Sequence, residues 1–188
     1  MAETQRWLLF SYSVPKEPST LRVNLWRRLR DIGVLYIAQS ACLLPETPAG
    51  VKALDGCHKA AIEAGGTARL VPFVVEDEQA QVELVRDFQA LRAAEYGELR
   101  ERAEALLAEL AREGEGGKFI FAELEENEDE LEKLDKWLGR MQRRDVLGSP
   151  AREDAVAVLE QGRWALATFR DRTIAREVEF DPGPPVVS

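Results

Sequence analysis

Trp7-Leu8-Leu9-Phe10-Ser11-Tyr12-Ser13-Val14 decides the fold. A stretch this apolar and aromatic, closed by Pro15, reads as a buried β-strand. Working outward, Pro18-Ser19-Thr20 supplies a helix start, and Leu21, Leu25, Leu29 and Ile32 recur at helical spacing until Gly33 ends the helix. Val34 to Ala38 and Ala41 to Leu44 read as two short strands ended by Pro45. A second helix runs from Pro48 to Ala64 and stops at Gly65-Gly66, after which Ala68 to Val75 is a fourth strand. The order predicts an α+β fold whose first part, residues 1–76, is a ferredoxin-like βαββαβ unit. In that arrangement both helices cover one face of a four-stranded antiparallel sheet, and the other face needs a cover.

Residues 77–188 read as a C-terminal helical region that packs on the sheet unit within a single compact domain. Leu84, Phe88, Leu91, Leu99, Leu106 and Leu110 share one broad face of a helix from Gln79 to Arg112, ended by Gly114-Glu115-Gly116-Gly117. Lys118-Phe119-Ile120-Phe121-Ala122 is short enough to be an added strand or a loop. Leu131, Leu134, Leu138 and Met141 mark a helix from Glu128 to Arg144, with the acidic run Glu123 to Glu132 as its solvated start. Beyond Gly148-Ser149-Pro150 a last helix carries Ala155, Leu159, Leu166 and Phe169, and residues 181–188, rich in proline, read as a frayed tail.

Composition narrows the function classes. With 188 residues, 45% of them hydrophobic, the chain can bury one sizeable core. Met1 to Arg6 has no basic region leading into an apolar stretch, and no later segment is long enough to cross a bilayer, so the expectation is a cytoplasmic protein with no membrane partner. Cys42 and Cys57 lack the spacing of a zinc site or a disulfide framework and read as free thiols; no cofactor and no metal is expected. The net charge is −9, unevenly spread. Residues 1–75 carry nine Lys/Arg against six Asp/Glu, residues 76–135 seven against twenty, and residues 136–188 nine against eight. An acidic middle thus leaves room for a basic face at the N-terminal end.

Two constellations carry chemistry. With Leu25 pointing to the core, Arg22, Trp26, Arg27 and Arg30 fan across one flank of the first helix, with Arg28 beside them. Guanidinium forks interleaved with an indole bind phosphate or another oxyanion and stack on bases. The plainer reading puts Trp26 under the C-terminal helices, since tryptophan is usually well buried, with the arginines solvated or paired to the acidic segment. In the second constellation, Glu95 and Arg92 lie on the apolar face of the long helix, and Asp145 continues the Leu131, Leu138 heptad position. Buried carboxylates need partners, so Arg92, Glu95, Tyr96, Arg144 and Asp145 are expected to form one cluster. It is either a small-ligand or oxyanion pocket or, more simply, a structural ion-pair network. Cys57 and the lone His58 point about 100° apart on a helix, which is wrong for joint ligation or for a thiolate-imidazole pair. No catalytic residue is proposed, because no serine has a plausible base.

The strand Trp7-Leu8-Leu9-Phe10, the series Pro15-x-x-Pro18-Ser19-x-x-Arg22-Val23-x-Leu25-Trp26-Arg27-Arg28-Leu29-Arg30, and the strand end Leu43-Leu44-Pro45 resemble the N-terminal region of ChrB-type chromate resistance proteins. Arg92, Glu95 and Tyr96, and the run Arg143-Arg144-Asp145-Val146-Leu147-Gly148-Ser149-Pro150, extend the resemblance over most of residues 7–175. It implies a regulator, or regulatory accessory, of a chromate efflux operon; full-length members usually carry a further C-terminal domain. The first half is also similar to the small ferredoxin-like unit of CRISPR-adaptation nuclease-like proteins and phenylacetate-type repressors. In the nucleases an Asp follows a Tyr at the end of the first strand and holds a metal ion. Here Tyr12 is followed by Ser13, whose neutral hydroxyl is a poor ligand for Mg²⁺.

The sequence therefore supports a non-enzymatic regulatory protein that binds DNA, or chromate or another oxyanion, through the Arg22 to Arg30 helix and acts as a homodimer. The alternative is a dimerisation or interaction module of the same fold, favoured by the lack of a separate helix-turn-helix. A degenerate metal-dependent nuclease is a distant third.

Overall fold

The structure is a computed structural model and describes residues 5–15, 17 and 19–180. Its element order is β1 (Arg6–Ser13), α1 (Ser19–Ile32), β2 (Leu35–Ala38), β3 (Ala41–Pro45), α2 (Pro48–Glu63), β4 (Thr67–Val74), α3 (Glu78–Glu115), α4 (Phe121–Arg144) and α5 (Arg152–Phe180). The fold is α+β, with a four-stranded sheet in the order β2-β3-β1-β4, all neighbours antiparallel. Two compact units divide the chain, Met1–Leu91 and Arg92–Ser188. The division falls within α3 and not at residue 76, because the first turns of α3 pack on the sheet. Pro18 and the tail, residues 181–188, lie outside the described residues.

In the first unit β1 is central, and its alternation sends side chains to both faces. Leu8 and Phe10 pair with Leu44 and Cys42 on one face, the one α2 covers, where Gly50 sits against Leu44. A Cβ on Gly50 would come within 2.8 Å of the Leu44 side chain. Thr47 caps α2 by accepting a hydrogen bond from the Gly50 N–H (3.0 Å). Trp7 points to the opposite face and is fully buried. Its indole meets Phe88 edge-on at 6.1 Å, and its N–H donates to Gln81 Oε1 at 3.1 Å, so the beginning of α3 seals that end of the sheet. The chain turns from α2 into β4 through Gly65, in the left-handed region at φ +75°, and Gly66, where a Cβ would lie 2.1 Å from the Ser13 carbonyl oxygen.

In the second unit, α3 from Arg92, α4 and α5 form an up-and-down three-helix bundle. Leu99, Leu106 and Leu110 meet Leu134, Leu138 and Met141 of α4 and Leu159, Leu166 and Phe169 of α5. The cross-links run antiparallel: Glu95 reaches Arg144, whereas Glu113 reaches Asn127. The structure decides two readings of this stretch. Of the strand or loop that Lys118 to Ala122 allowed, residues 118–120 form a loop, Phe121 already begins α4, and the Phe119 ring packs tilted against Phe169 with centres 5.1 Å apart. The acidic run lies inside α4, whose start is seven residues earlier than Glu128, because Leu124 and Asn127 present a buried stripe and Glu123 sits favourably at the positive end of the helix dipole. Among the described residues, no helix is long and apolar enough to cross a membrane.

Candidate functional site

Helix α1 buries only Leu25 and Leu29, so both of its flanks are open to chemistry. One flank carries Arg22, Trp26 and Arg30 at successive four-residue steps. There a cavity of about 440 Å³ opens between α1, the end of β1 and the β2–β3 turn, with Tyr12, Ser13, Arg22, Trp26, Gln39 and Ser40 in its walls. The Arg30 guanidinium stands over the Trp26 ring at 5.3 Å from its centre. Trp26 is 44% exposed, not buried as a tryptophan usually is. The Arg30 stem covers one side of the ring, which gains contact without leaving solvent.

The other flank is different. Arg28 faces α2 and lines a smaller groove of about 270 Å³ together with Leu25, Ala60 and Glu63. Helical geometry separates Arg28 from Trp26 by about 200° around the axis, so the five residues that sequence grouped together divide into two sets. Arg22, Trp26 and Arg30 form one, Arg28 the other, and Arg27 is exposed between them.

The second constellation is brought together in the helical unit. The Glu95 carboxylate bridges two guanidinium groups, accepting from Arg144 at 3.0 Å and standing 3.4 Å from Arg92. Tyr96 donates its hydroxyl proton to Asp145 at 3.2 Å, and Asp145 also accepts from the Ser149 N–H through both oxygens (2.9 and 3.0 Å). Asp145 thereby closes the turn between α4 and α5. Arg92, Tyr96 and Asp145 are all buried. Burial is the main influence lowering the Arg92 pKa and raising that of Tyr96, the latter to about 12, with the Asp145 charge adding to the Tyr96 shift. Two cations thus face two carboxylates. An incoming oxyanion would meet Glu95 already seated between the arginines, which favours an ion-pair network over a ligand pocket.

Residues 22–180 match the family described as Protein ChrB, N-terminal. The chain belongs to that family. Membership connects it with chromate resistance. Neither the curated proteins nor the solved structures contain a match to the chain. The match begins at Arg22, so it takes in the α1 flank and the Arg92–Asp145 network, but starts after β1.

In this ChrB-family chain the thiols are shielded. Cys42 and Cys57 are both buried, and burial pushes both thiols up, Cys42 to about 12. Three contributors to the α1 cavity escaped sequence reading: Tyr12, Gln39 and Ser40. They come from the first strand's end and from a turn, and only sheet pairing joins these segments, as in the hydrogen bond from Tyr12 N–H to Ser40 O (2.9 Å). Ser13, weighed in sequence only as a missing metal ligand, is a cavity wall.

Proposed function

We propose that this ChrB-family protein is a non-enzymatic, cytoplasmic regulator of the chromate response that binds DNA through the basic flank of α1, on a unit of ferredoxin-like fold. The strand order β2-β3-β1-β4 supports that fold assignment. One observation carries the functional reading: a half-exposed tryptophan set between arginines, on a helix with four arginines and a single acidic residue, in a chain of net charge −9. Exposed arginine on an otherwise acidic molecule localises phosphate attraction to one face. The test is a salt titration of binding to duplex DNA from the protein's own promoter region. Affinity should fall steeply with salt, and Arg27→Ala with Arg30→Ala should reduce the slope of log K against log salt by about 2. An unchanged slope, or no binding at low salt, would overturn the reading.

A second reading, a dimerisation module, rests on α5. Trp164 is 75% exposed, Val178 71% and Ile174 46%, and the three lie on one stripe of the helix. A homodimer formed through this stripe should become monomeric on Trp164→Glu, as read by light scattering; a monomeric wild type would dismiss it.

A further inference from the structure

We propose that the cavity beside Trp26 is a nucleotide site, in which a planar base lies against the indole and its phosphate is held by Arg22. The inference deepens the α1 reading and rests on it, but it concerns the cavity wall and not the outward arginines. Its first support is size. At about 440 Å³ the cavity is within the range of small-molecule sites. A tetrahedral oxyanion displaces the volume of only a few waters, at about 30 Å³ each, and would rattle there.

Its second support is chemistry. One wall is aromatic and solvent-open, the geometry used by proteins that stack unpaired bases. Among the described residues, Arg22 is the one charged side chain lining the cavity, and a single guanidinium fork suits one phosphate. The remaining polar residues of the wall are Tyr12, Ser13, Gln39 and Ser40. Hydroxyls and amides both donate and accept, as the mixed edge of a base or the hydroxyls of a ribose require. Gln39 and Ser40 sit in the tight turn between β2 and β3, which β1 holds through the Tyr12–Ser40 hydrogen bond, so the polar wall is fixed by the sheet while the aromatic wall is fixed by α1.

Two sources supply the same chemistry, a free mononucleotide or a nucleotide of a single strand, and the experiment separates them. The Trp26 indole N–H signal, assigned in a two-dimensional ¹H–¹⁵N spectrum by its loss in Trp26→Phe, is followed as AMP, adenosine, inorganic phosphate or a short single-stranded oligonucleotide is added. AMP should shift it saturably, adenosine should bind more weakly, and phosphate alone should bind weakest. Trp26→Ala, monitored through the backbone signals of Gln39 and Ser40, should weaken AMP at least about tenfold. Arg22→Gln should erase the preference for AMP over adenosine. Tighter binding of the oligonucleotide than of AMP assigns the site to a strand, and the reverse assigns it to a free nucleotide; either supports the proposal. It is overturned if no addition shifts the signal, if phosphate alone does as well as AMP, or if Trp26→Ala binds AMP as wild type does. Gln39→Ala should weaken AMP while leaving the salt slope for duplex DNA unchanged. Failure of duplex binding with nucleotide binding intact would sink the DNA reading alone, and the reverse would sink this one alone.

Discussion

Replacing Glu95 by glutamine separates the two meanings of the buried network. The substitution keeps the shape and removes the charge that faces two guanidinium groups, Arg144 at 3.0 Å and Arg92 at 3.4 Å. Breaking a fully buried pair typically costs 3–5 kcal/mol, but the Glu95 side chain is 26% exposed and water screens part of the loss, so about 2–3 kcal/mol is expected. In a chain of this length each kcal/mol moves the melting temperature by roughly 2–4 °C, giving a drop of roughly 5–10 °C by circular dichroism. Glu104→Gln, which removes the exposed partner of Arg100 at 3.5 Å, is the control and should move it by less than about 2 °C. The same melts with chromate or sulfate test the ligand-pocket alternative. A structural network predicts no stabilisation of wild type by either anion. A Glu95→Gln protein as stable as wild type, or wild type stabilised by several degrees in chromate, would refute the reasoning.

Tyr96 has its pKa raised from 10.0 to about 12, so its neutral form is favoured in the fold. Its contribution is complete below about pH 10 and is lost as pH rises towards about 12; Tyr96→Phe should remove that part of the alkaline decline in unfolding free energy, and an identical alkaline profile would contradict it. Cys42 and Cys57 should both be inert to a thiol reagent in the native chain and both react in urea, so stoichiometric native labelling would count against their burial. Gly66→Ala forces a Cβ against the Ser13 carbonyl oxygen and should cost more than Gly65→Ala, which meets open space and suffers only its positive φ, about 1 kcal/mol; equal urea midpoints would contradict the close approach.

Much of this was legible in the sequence, because it rests on local periodicity and on turn residues. Leu25 and Leu29 at helical spacing, Gly33 and Gly65-Gly66 as stops, and the alternation of β1 specify the βαββαβ order without tertiary information. Charged residues on apolar faces named the Arg92–Asp145 network for the same reason: a carboxylate cannot remain buried alone, so its partners had to lie at matching heights on neighbouring helices. Tertiary structure decided what periodicity cannot measure. The apolar run Phe119-Ile120-Phe121 carries no signal that distinguishes an unpaired strand from a helix start, and only the packing of Phe119 on Phe169 resolved it. The usual burial of tryptophan gave the wrong exposure for Trp26, since exposure depends on what other segments cover. The cavity beside it is assembled from β1, α1 and the β2–β3 turn, whose proximity is a property of strand pairing and is written in none of them singly.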